Sequence, residues 1–193
     1  MNDVSSAAMS HPSGAGEFAL LVRKARMSDL VPLLQLINGY ASQGAMLPRT
    51  EFELSESIRD FTVAESGGRL AGCGALHFYG PTAAEVRSLA VEPAVKGLGV
   101  GRQIVEALEA EALDQGLSFV FAFTYVPGFF EKLGFLEVDR NELPAKVWKD
   151  CLRCPKFQSC DEIAMKKILA STPECGVVSE DDAEATPLPT LRK

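Results

Sequence analysis

The stretch from residue 84 to residue 102 constrains the fold of this chain more than any other. Residues 84–91 read as a β-strand that closes at Pro93, and a loop with glycines at positions 97, 99 and 101 opens a helix predicted over residues 101–115. Glycine lets a backbone come close to a ligand, and loop amides with the positive end of a helix attract anions. The stretch therefore predicts a binding site for a ligand that carries phosphate groups.

Length and charge narrow the classes of protein to consider. The chain has 193 residues and a formal net charge of −7, which disfavours nucleic-acid and membrane-surface partners because both attract basic proteins. No apolar run approaches the roughly eighteen residues needed to cross a bilayer, and residues 1–16 lack the features of a secretory signal. We therefore expect a cytoplasmic protein with one folded domain over residues 18–170, a disordered tail over residues 1–17 and a disordered acidic tail over residues 171–193.

Periodicity along residues 18–170 predicts a mixture of strands and helices. Strands are predicted over residues 20–25, 61–65, 69–78, 84–91, 119–124, 135–138 and 163–169. Helices are predicted after a cap at Ser28 or Asp29, after a capping box of Thr50 and Glu53, and over residues 101–115 and 128–133. This order is typical of an α/β (α+β) protein in which helices cover the faces of a mixed sheet.

Two motifs resemble those of the GNAT acetyltransferases, which use acetyl-coenzyme A. The loop Lys96-Gly-Leu-Gly-Val-Gly101 is similar to their pyrophosphate loop, with lysine in place of the usual glutamine or arginine. Further along, Phe129-Phe-Glu-Lys-Leu-Gly-Phe135 matches a second signature of the family. The resemblance implies the GNAT fold: a mixed, mostly antiparallel sheet with helices on both faces, in which two parallel strands, residues 84–91 and 119–124, splay apart to hold acetyl-CoA.

A narrower resemblance covers most of the predicted domain. Residues 44–49, 72–76, 84–91, 121–124 and 142–144 resemble, in the same order, the acetyltransferase domain of bacterial N-acetylglutamate synthases, in particular the short stand-alone type. The resemblance implies transfer of an acetyl group from acetyl-CoA to the α-amine of L-glutamate, the first step of arginine biosynthesis. In a chain of this length we expect no arginine-sensing domain of the amino-acid-kinase type.

The resemblance assigns acetyl-CoA to the predicted strand and the loop after it. Backbone groups of Leu89, Ala90 and Val91 are expected to contact the pantetheine arm. The pyrophosphate is expected on the loop, which comprises Lys96, Gly97, Leu98, Gly99, Val100, Gly101 and Arg102. The open alternative is that the glycine loop is only a tight turn.

Acetyl transfer to an amine needs a general base, because an ammonium group has no lone pair. Glu85 lies on the predicted cleft strand, and a glutamate at this place is the proposed base in the resembling synthases. The alternative is that Glu85 only forms an ion pair with Arg87, two residues away on the same strand face. Many GNAT enzymes protonate the leaving thiolate with a tyrosine. At the matching position this chain has Phe130, which cannot donate a proton. Thr124 matches the strand-end hydroxyl residue of the resembling synthases and is the candidate acid, directly or through water; the alternative is that it only ends the strand. Tyr125 beside it is a poorer candidate.

The two carboxylates of glutamate favour arginine as their binding partner. Arg49 falls where the resembling synthases place a substrate arginine, Leu47 lies just before it, and Arg87 projects from the catalytic strand. Cations also follow residues 142–144, and the resemblance does not choose among them: Lys146, Arg153 and Lys156.

Three of the five cysteines form a C-x2-C-x5-C pattern in segment 146–162: Cys151, Cys154 and Cys160. Thiolates at such spacing can bind zinc or an iron–sulfur cluster. Asp161 and Glu162 are adjacent, but three sulfurs are one short of a closed site, and Cys73 could complete it only if the fold brought it there. We predict no metal, and we interpret these cysteines as reduced thiols over the substrate pocket or as a redox-sensitive pair.

These observations predict an acyltransferase that acts on a small molecule, without a nucleic-acid or membrane partner, and with a homodimer left open. Two other interpretations remain. One is a GNAT enzyme for another small amine or amino acid, and the other is a non-catalytic module that binds acetyl-CoA or senses redox state or metal. Substitution of Glu85 separates enzyme from module, because only an enzyme loses turnover while it keeps its affinity for acetyl-CoA.

Overall fold

The computed structural model describes residues 19–144, 154, 156 and 159–169, so the predicted tails and most of segment 145–158 lie outside it. Its strands are β1 (Leu21–Lys24), β2 (Phe61–Ser66), β3 (Arg69–Phe78), β4 (Ala83–Val91), β5 (Phe119–Thr124), β6 (Leu136–Glu137) and β7 (Ile163–Ile168). Its helices are α1 (Leu30–Ala41), α2 (Glu51–Glu56), α3 (Val100–Asp114) and α4 (Pro127–Glu131). Within these residues no helix is long and apolar enough to span a bilayer.

The described strands form one mixed sheet in the order β1-β2-β3-β4-β5-β7-β6. Every neighbouring pair is antiparallel except β4 and β5, which are parallel. Helix α3 packs on one face through Ile104, Val105 and Leu108, which are fully buried. Helices α1 and α2 cover the other face, where Leu33 and Leu54 are fully buried. The predicted mixed sheet with helices on both faces is confirmed.

A β-bulge interrupts the ladder between β3 and β4. The register passes from Ala75 opposite Arg87 to Cys73 opposite Ala90, so β4 carries one extra residue. Ser88 lies in this bulge with φ of 52°, a left-handed conformation that is uncommon for serine. Its carbonyl accepts a hydrogen bond from the Cys73 thiol at 3.6 Å. A bulge bends a strand and increases its twist, and this one lies in the part of β4 that has no β5 partner.

Helix α3 begins at Val100, one residue before the predicted start, and ends at Asp114. Gly99 is its N-cap and takes a left-handed conformation with φ of 81°, so the helix can start immediately after it. The predicted capping box of α2 is confirmed: Thr50 Oγ1 accepts from the Glu53 amide at 3.2 Å, and Glu53 Oε2 accepts from the Thr50 amide at 2.9 Å.

Asp29, one of the two predicted cap residues, is the N-cap of α1, but its side chain makes no capping hydrogen bond to this helix. Its carboxylate accepts instead from the Arg26 amide at 2.7 Å and from Arg23 Nη1 at 2.7 Å. The Arg23 guanidinium holds the pKa of Asp29 below its usual range. The Asp29 side chain therefore ties the start of α1 to β1 instead of capping the helix. Strand β6 is also shorter than predicted, with only residues Leu136–Glu137 in the ladder.

Candidate active site

The separation of β4 from β5 opens a cavity of about 930 Å³, called the central cleft below. The two strands pair only from Ala83 opposite Phe119 to Glu85 opposite Phe121. Strand β4 then continues to Val91 without a β5 partner, whereas β5 ends at Thr124. An extended ligand can therefore lie against the open edge of β4.

One end of the cleft is formed by the glycine loop and the first turn of α3. Of the loop residues predicted to bind acetyl-CoA, all but Leu98 line the cleft: Lys96, Gly97, Gly99, Val100, Gly101 and Arg102. The side chain of Leu98 is 54% exposed. Gly97 and Gly99 have φ values of 83° and 81°, and a β-carbon on either would have no atom within 4 Å. This backbone is consequently open to an anion from the side of the cleft.

Gly101 lines the cleft and also has close neighbours on its other side. A β-carbon on Gly101 would lie 3.4 Å from the ring of Phe129 and 3.4 Å from Val91 Cγ2. This glycine therefore allows α3 to pack closely against α4 and β4. The two basic side chains of the loop also have protein partners, because the Lys96 ammonium lies over the Tyr40 ring at 4.9 Å and Arg102 pairs with Glu106 at 2.7 Å.

The β4 edge next to the loop consists of the predicted pantetheine-contacting residues. Leu89, Ala90 and Val91 all line the cleft. The Val91 carbonyl accepts a hydrogen bond of 2.6 Å from the Tyr40 hydroxyl, which links the end of β4 to α1. Because a carbonyl has two lone pairs, this bond leaves Val91 able to accept a second one.

Glu85 lies in the cleft wall at the last paired position of β4 and β5. Its side chain is half-buried, and its Oε2 accepts a hydrogen bond from the Tyr79 hydroxyl at 3.1 Å. Arg87 also lines the cleft, and its Nη2 lies 4.0 Å from Oδ2 of Asp60. The bulge comes after Arg87, so Glu85 and Arg87 project from the same face of β4.

The strand-end hydroxyl predicted as the acid lies in the cleft opposite β4. Thr124 is 6% exposed, and its Oγ1 accepts from the Val126 amide at 3.0 Å. Its own O–H can then donate into the cleft. Phe130 is only 4% exposed, and its ring packs edge-on against that of Phe135 with centroids 5.1 Å apart. Phe130 is therefore part of the core and cannot donate a proton. Burial raises the pKa of the Tyr125 phenol above its usual range, while a hydrogen bond from Lys156 opposes the shift.

Leu47 and Arg49 reach the cleft from the segment that joins α1 to α2. Asn38 of α1 holds that segment in place, because its side-chain amide donates to the Arg49 carbonyl and accepts from the Arg49 amide, both at 2.9 Å. The backbone of Arg49 is thereby fixed, and its side chain is half-buried at the cleft. Leu47, Arg49 and Arg87, which the sequence analysis assigns to the substrate, all line the same cleft.

Arg140 also lines the cleft and was not among the predicted residues. Its guanidinium lies over the Phe123 ring at 5.4 Å and donates to the Glu162 carbonyl. Of the three cations predicted after residue 144, Lys156 lines the cleft, whereas Lys146 and Arg153 are outside the described residues. Lys156 donates to the Tyr125 hydroxyl at 3.2 Å and pairs with Asp161 at 3.1 Å.

Two of the three clustered cysteines, Cys154 and Cys160, line the cleft, and Cys151 is not among the described residues. Cys160 Sγ lies 3.7 Å from Glu162 Oε2, and burial raises the pKa of the Glu162 carboxyl. Cys73 is fully buried in the core under α1, so it does not join them. In the described ranges no group of three or more histidine, cysteine or acidic side chains is arranged to hold a metal ion.

Comparison with known proteins agrees with this geometry. A model of the acetyltransferase (GNAT) family matches residues 29–135. An uncharacterized N-acetyltransferase from Chlorobaculum tepidum is 43% identical over 148 residues, which are 77% of this chain and 96% of that protein. An amino-acid acetyltransferase from Mycobacterium tuberculosis is 37% identical over 136 residues, 69% of this chain and 78% of that protein.

A solved structure shows the same fold. The N-acetylglutamate synthase from Neisseria gonorrhoeae, complexed with coenzyme A and N-acetyl-glutamate, is similar with a TM-score of 0.72 and 27% identity. The similarity covers 81% of this chain and 36% of that longer chain. The matched family segment runs from the start of α1 through the glycine loop and α3 to the end of the Phe129–Phe135 motif and spans more than half of the chain. The chain is an acyltransferase that uses acetyl-CoA, and it belongs to the acetyltransferase (GNAT) family.

Proposed function

We propose that this chain transfers the acetyl group of acetyl-CoA to the α-amine of L-glutamate, giving N-acetylglutamate and coenzyme A. The observation that supports this most is the composition of the central cleft, in which Glu85 is accompanied by Arg49, Arg87 and Arg140. A carboxylate suits proton removal from an amine, and several guanidinium groups suit a substrate with two carboxylates. The relatives named amino-acid acetyltransferase and N-acetylglutamate synthase favour the same acceptor class.

Acetyl-CoA supplies an acetyl group activated as a thioester. The backbone of Leu89, Ala90 and Val91 would hold its extended arm along β4. The loop amides that precede α3 would hold its phosphates, where the left-handed glycines Gly97 and Gly99 leave the backbone open. The thioester would then lie where β4 and β5 separate.

Glu85 acts as the base in this proposal. The amine of glutamate is an ammonium near neutral pH, so it must lose a proton before its lone pair can attack the thioester carbonyl. The carboxylate accepts that proton, directly or through a water molecule. The nitrogen–carbon bond forms, the carbon–sulfur bond breaks, and the second amine proton becomes available to the departing thiolate. Thr124 donates a hydrogen bond to this sulfur as negative charge develops on it.

Arginine side chains hold the acceptor. Arg49 is expected to bind one carboxylate of glutamate, with Leu47 packing against the aliphatic part of the substrate. Among the described residues, Arg87 and Arg140 also bring guanidinium groups to this end of the cleft, and one of them is expected to bind the second carboxylate. Two bound carboxylates fix the amine relative to Glu85, which provides the orientation that a bimolecular reaction lacks in water.

A screen of the amino acids for release of coenzyme A tests the acceptor, with the product identified by mass spectrometry. L-glutamate should give the highest kcat/KM. A clear preference for another amino acid or for a polyamine would refute the assignment and favour another GNAT specificity.

Two variants with matched controls test the assigned roles. Glu85→Gln should lower kcat by roughly 10²–10⁴-fold and leave the Kd of acetyl-CoA unchanged. Glu56→Gln, at an exposed position of α2, is the control and should leave kcat unchanged. Arg49→Ala should raise the KM for glutamate by about 10-fold or more, whereas Arg59→Ala, also exposed, should leave it unchanged. Normal turnover by Glu85→Gln would exclude the proposed base.

A further inference from the structure

The hydroxyl of Tyr79 contacts the proposed base from outside the cleft. Tyr79 is the first residue after β3, and its backbone amide donates to the Ala83 carbonyl at 2.9 Å across the turn into β4. From there its hydroxyl donates to Glu85 Oε2 at 3.1 Å. Glu85 lines the cleft and Tyr79 does not, so the tyrosine approaches the carboxylate from the side away from the ligands.

The ring of Tyr79 is held by aromatic neighbours on both sides. Its centroid lies 5.2 Å from that of His77 in an edge-on arrangement and 5.5 Å from that of Phe121. His77 is fixed in turn by Asp60, whose Oδ2 lies 2.8 Å from His77 Nδ1. These contacts hold the ring in one place, so the hydroxyl has a defined position relative to β4.

We propose that Tyr79 is a positioning residue for Glu85. The Tyr79 hydroxyl keeps the Glu85 carboxylate ionised and fixes its orientation toward the acceptor amine. The inference rests on the proposed role of Glu85 as base. A hydrogen bond donated to a carboxylate stabilises its charged form, and only that form can accept a proton from the amine. It also holds Oε2, so the carboxylate cannot turn freely about its last side-chain bond.

Other charged groups share the surroundings of Glu85. On its own sheet face are His77 opposite it, Arg87 on the same strand, and Asp60 between those two side chains. The remaining ionisable side chains that line the acceptor end of the cleft are Arg49, Tyr125, Arg140, Cys154, Lys156, Cys160 and Glu162. Tyr79→Phe removes a hydroxyl and leaves each of these side chains in the protein.

Tyr79→Phe is the direct test, because it removes the hydroxyl and keeps the ring. We measure kcat as a function of pH with whichever amino acid the wild-type enzyme acetylates best, since kcat reports ionisations in the enzyme–substrate complex. The acidic limb should move to higher pH by about one unit, and the plateau should fall about 10-fold, as expected for loss of a hydrogen bond to a charged group. The Kd of acetyl-CoA should stay at the wild-type value.

A double-mutant cycle with Glu85→Gln separates positioning from a general structural effect. If Tyr79 acts through the carboxylate, Tyr79→Phe should slow the Glu85→Gln enzyme by less than about twofold. His77 lies opposite Glu85, so its imidazole is another group that could cause the acidic limb of the kcat profile. If the limb reports the ionisation of Glu85, it should persist in the His77→Gln variant.

The outcomes distinguish the two proposals. If Glu85→Gln is slow but Tyr79→Phe matches the wild type in both kcat and acidic limb, the positioning role is wrong and the base survives. The positioning role also fails if Tyr79→Phe slows the Glu85→Gln enzyme as much as it slows the wild type. A Glu85→Gln enzyme with normal kcat overturns the base and the role of Tyr79 with it.

Discussion

Gly72 of β3 lies where α3 crosses the sheet, and a single added methyl group there should measurably destabilise the protein. A β-carbon on this residue would stand 2.9 Å from the Ala90 carbonyl oxygen, 3.0 Å from Ile104 Cδ1 and 3.1 Å from Val100 Cγ1. The nearest of these atoms belongs to the backbone of β4 and cannot rotate away. Gly72→Ala therefore forces α3 or the sheet to move.

The size of the effect follows from the cost of overpacking. An extra methyl group in a tightly packed core destabilises by about 1–3 kcal/mol. For a chain of this length, 1 kcal/mol lowers Tm by roughly 2–4 °C, so a central value of about 2 kcal/mol corresponds to roughly 4–8 °C. Thermal unfolding followed by circular dichroism, together with urea titration, measures both quantities.

Gly39→Ala is the matched control. Gly39 lies in α1, and a β-carbon on it would have no atom within 4 Å. Alanine is favoured over glycine in a helix by up to about 1 kcal/mol, so this variant should be as stable as the wild type or more stable. A Gly72→Ala protein that unfolds at the wild-type temperature would contradict the packing argument.

Three other variants or conditions test separate parts of the structure. Arg140→Met should raise the KM for glutamate about 10-fold without changing the KM for acetyl-CoA, as initial-rate kinetics can measure. A KM for glutamate equal to that of the wild type would exclude Arg140 from the acceptor site. Burial raises the pKa of the Cys73 thiol to about 12, so iodoacetamide at about pH 8 should label the cleft residues Cys154 and Cys160 but reach Cys73 only after unfolding, as peptide mass spectrometry can show. The pKa of Asp29 is lowered by the neighbouring arginine of β1, so its carboxylate stabilises the fold above about pH 4 and loses this effect as the pH falls. Asp29→Asn should lower the urea midpoint at neutral pH, and the gap from wild type should narrow as the pH falls below about 4; a constant gap would exclude the linkage.

Local sequence predicted the glycine loop and the strand before it, because these features depend on nearest neighbours in the chain. The backbone at positions 97 and 99 is left-handed just before a helix, a conformation that favours glycine. The sequence shows both the glycines and the periodicity of the helix. The two-residue period of a strand predicts that Glu85 and Arg87 project from the same face of β4. The sequence did not indicate the closeness of Gly101 to Phe129 of α4, because that contact depends on tertiary packing.

The acceptor half was harder to predict. Arg140 precedes residues 142–144, whereas the sequence directed attention to the cations after them. Only the fold places its guanidinium between the Phe123 ring and the Glu162 carbonyl. Tyr79 was missed for a similar reason, since its contact with Glu85 depends on the geometry of the turn between β3 and β4. Neither residue belongs to a local pattern with a recognisable period or spacing.

The two ends of the central cleft are encoded differently along the chain, and this has a consequence for how new specificities can arise. The wall proposed to face acetyl-CoA comes chiefly from one uninterrupted stretch, residues 89–102, whereas the basic residues at the opposite end come from positions as far apart as 49, 87, 140 and 156. A change of acceptor can therefore accumulate by substitutions at separate positions outside residues 89–102 while the stretch proposed to bind the acyl donor stays intact. For engineering, exchange of residues 45–49 together with the region around 140 is the route that alters what is acetylated and keeps the source of the acetyl group.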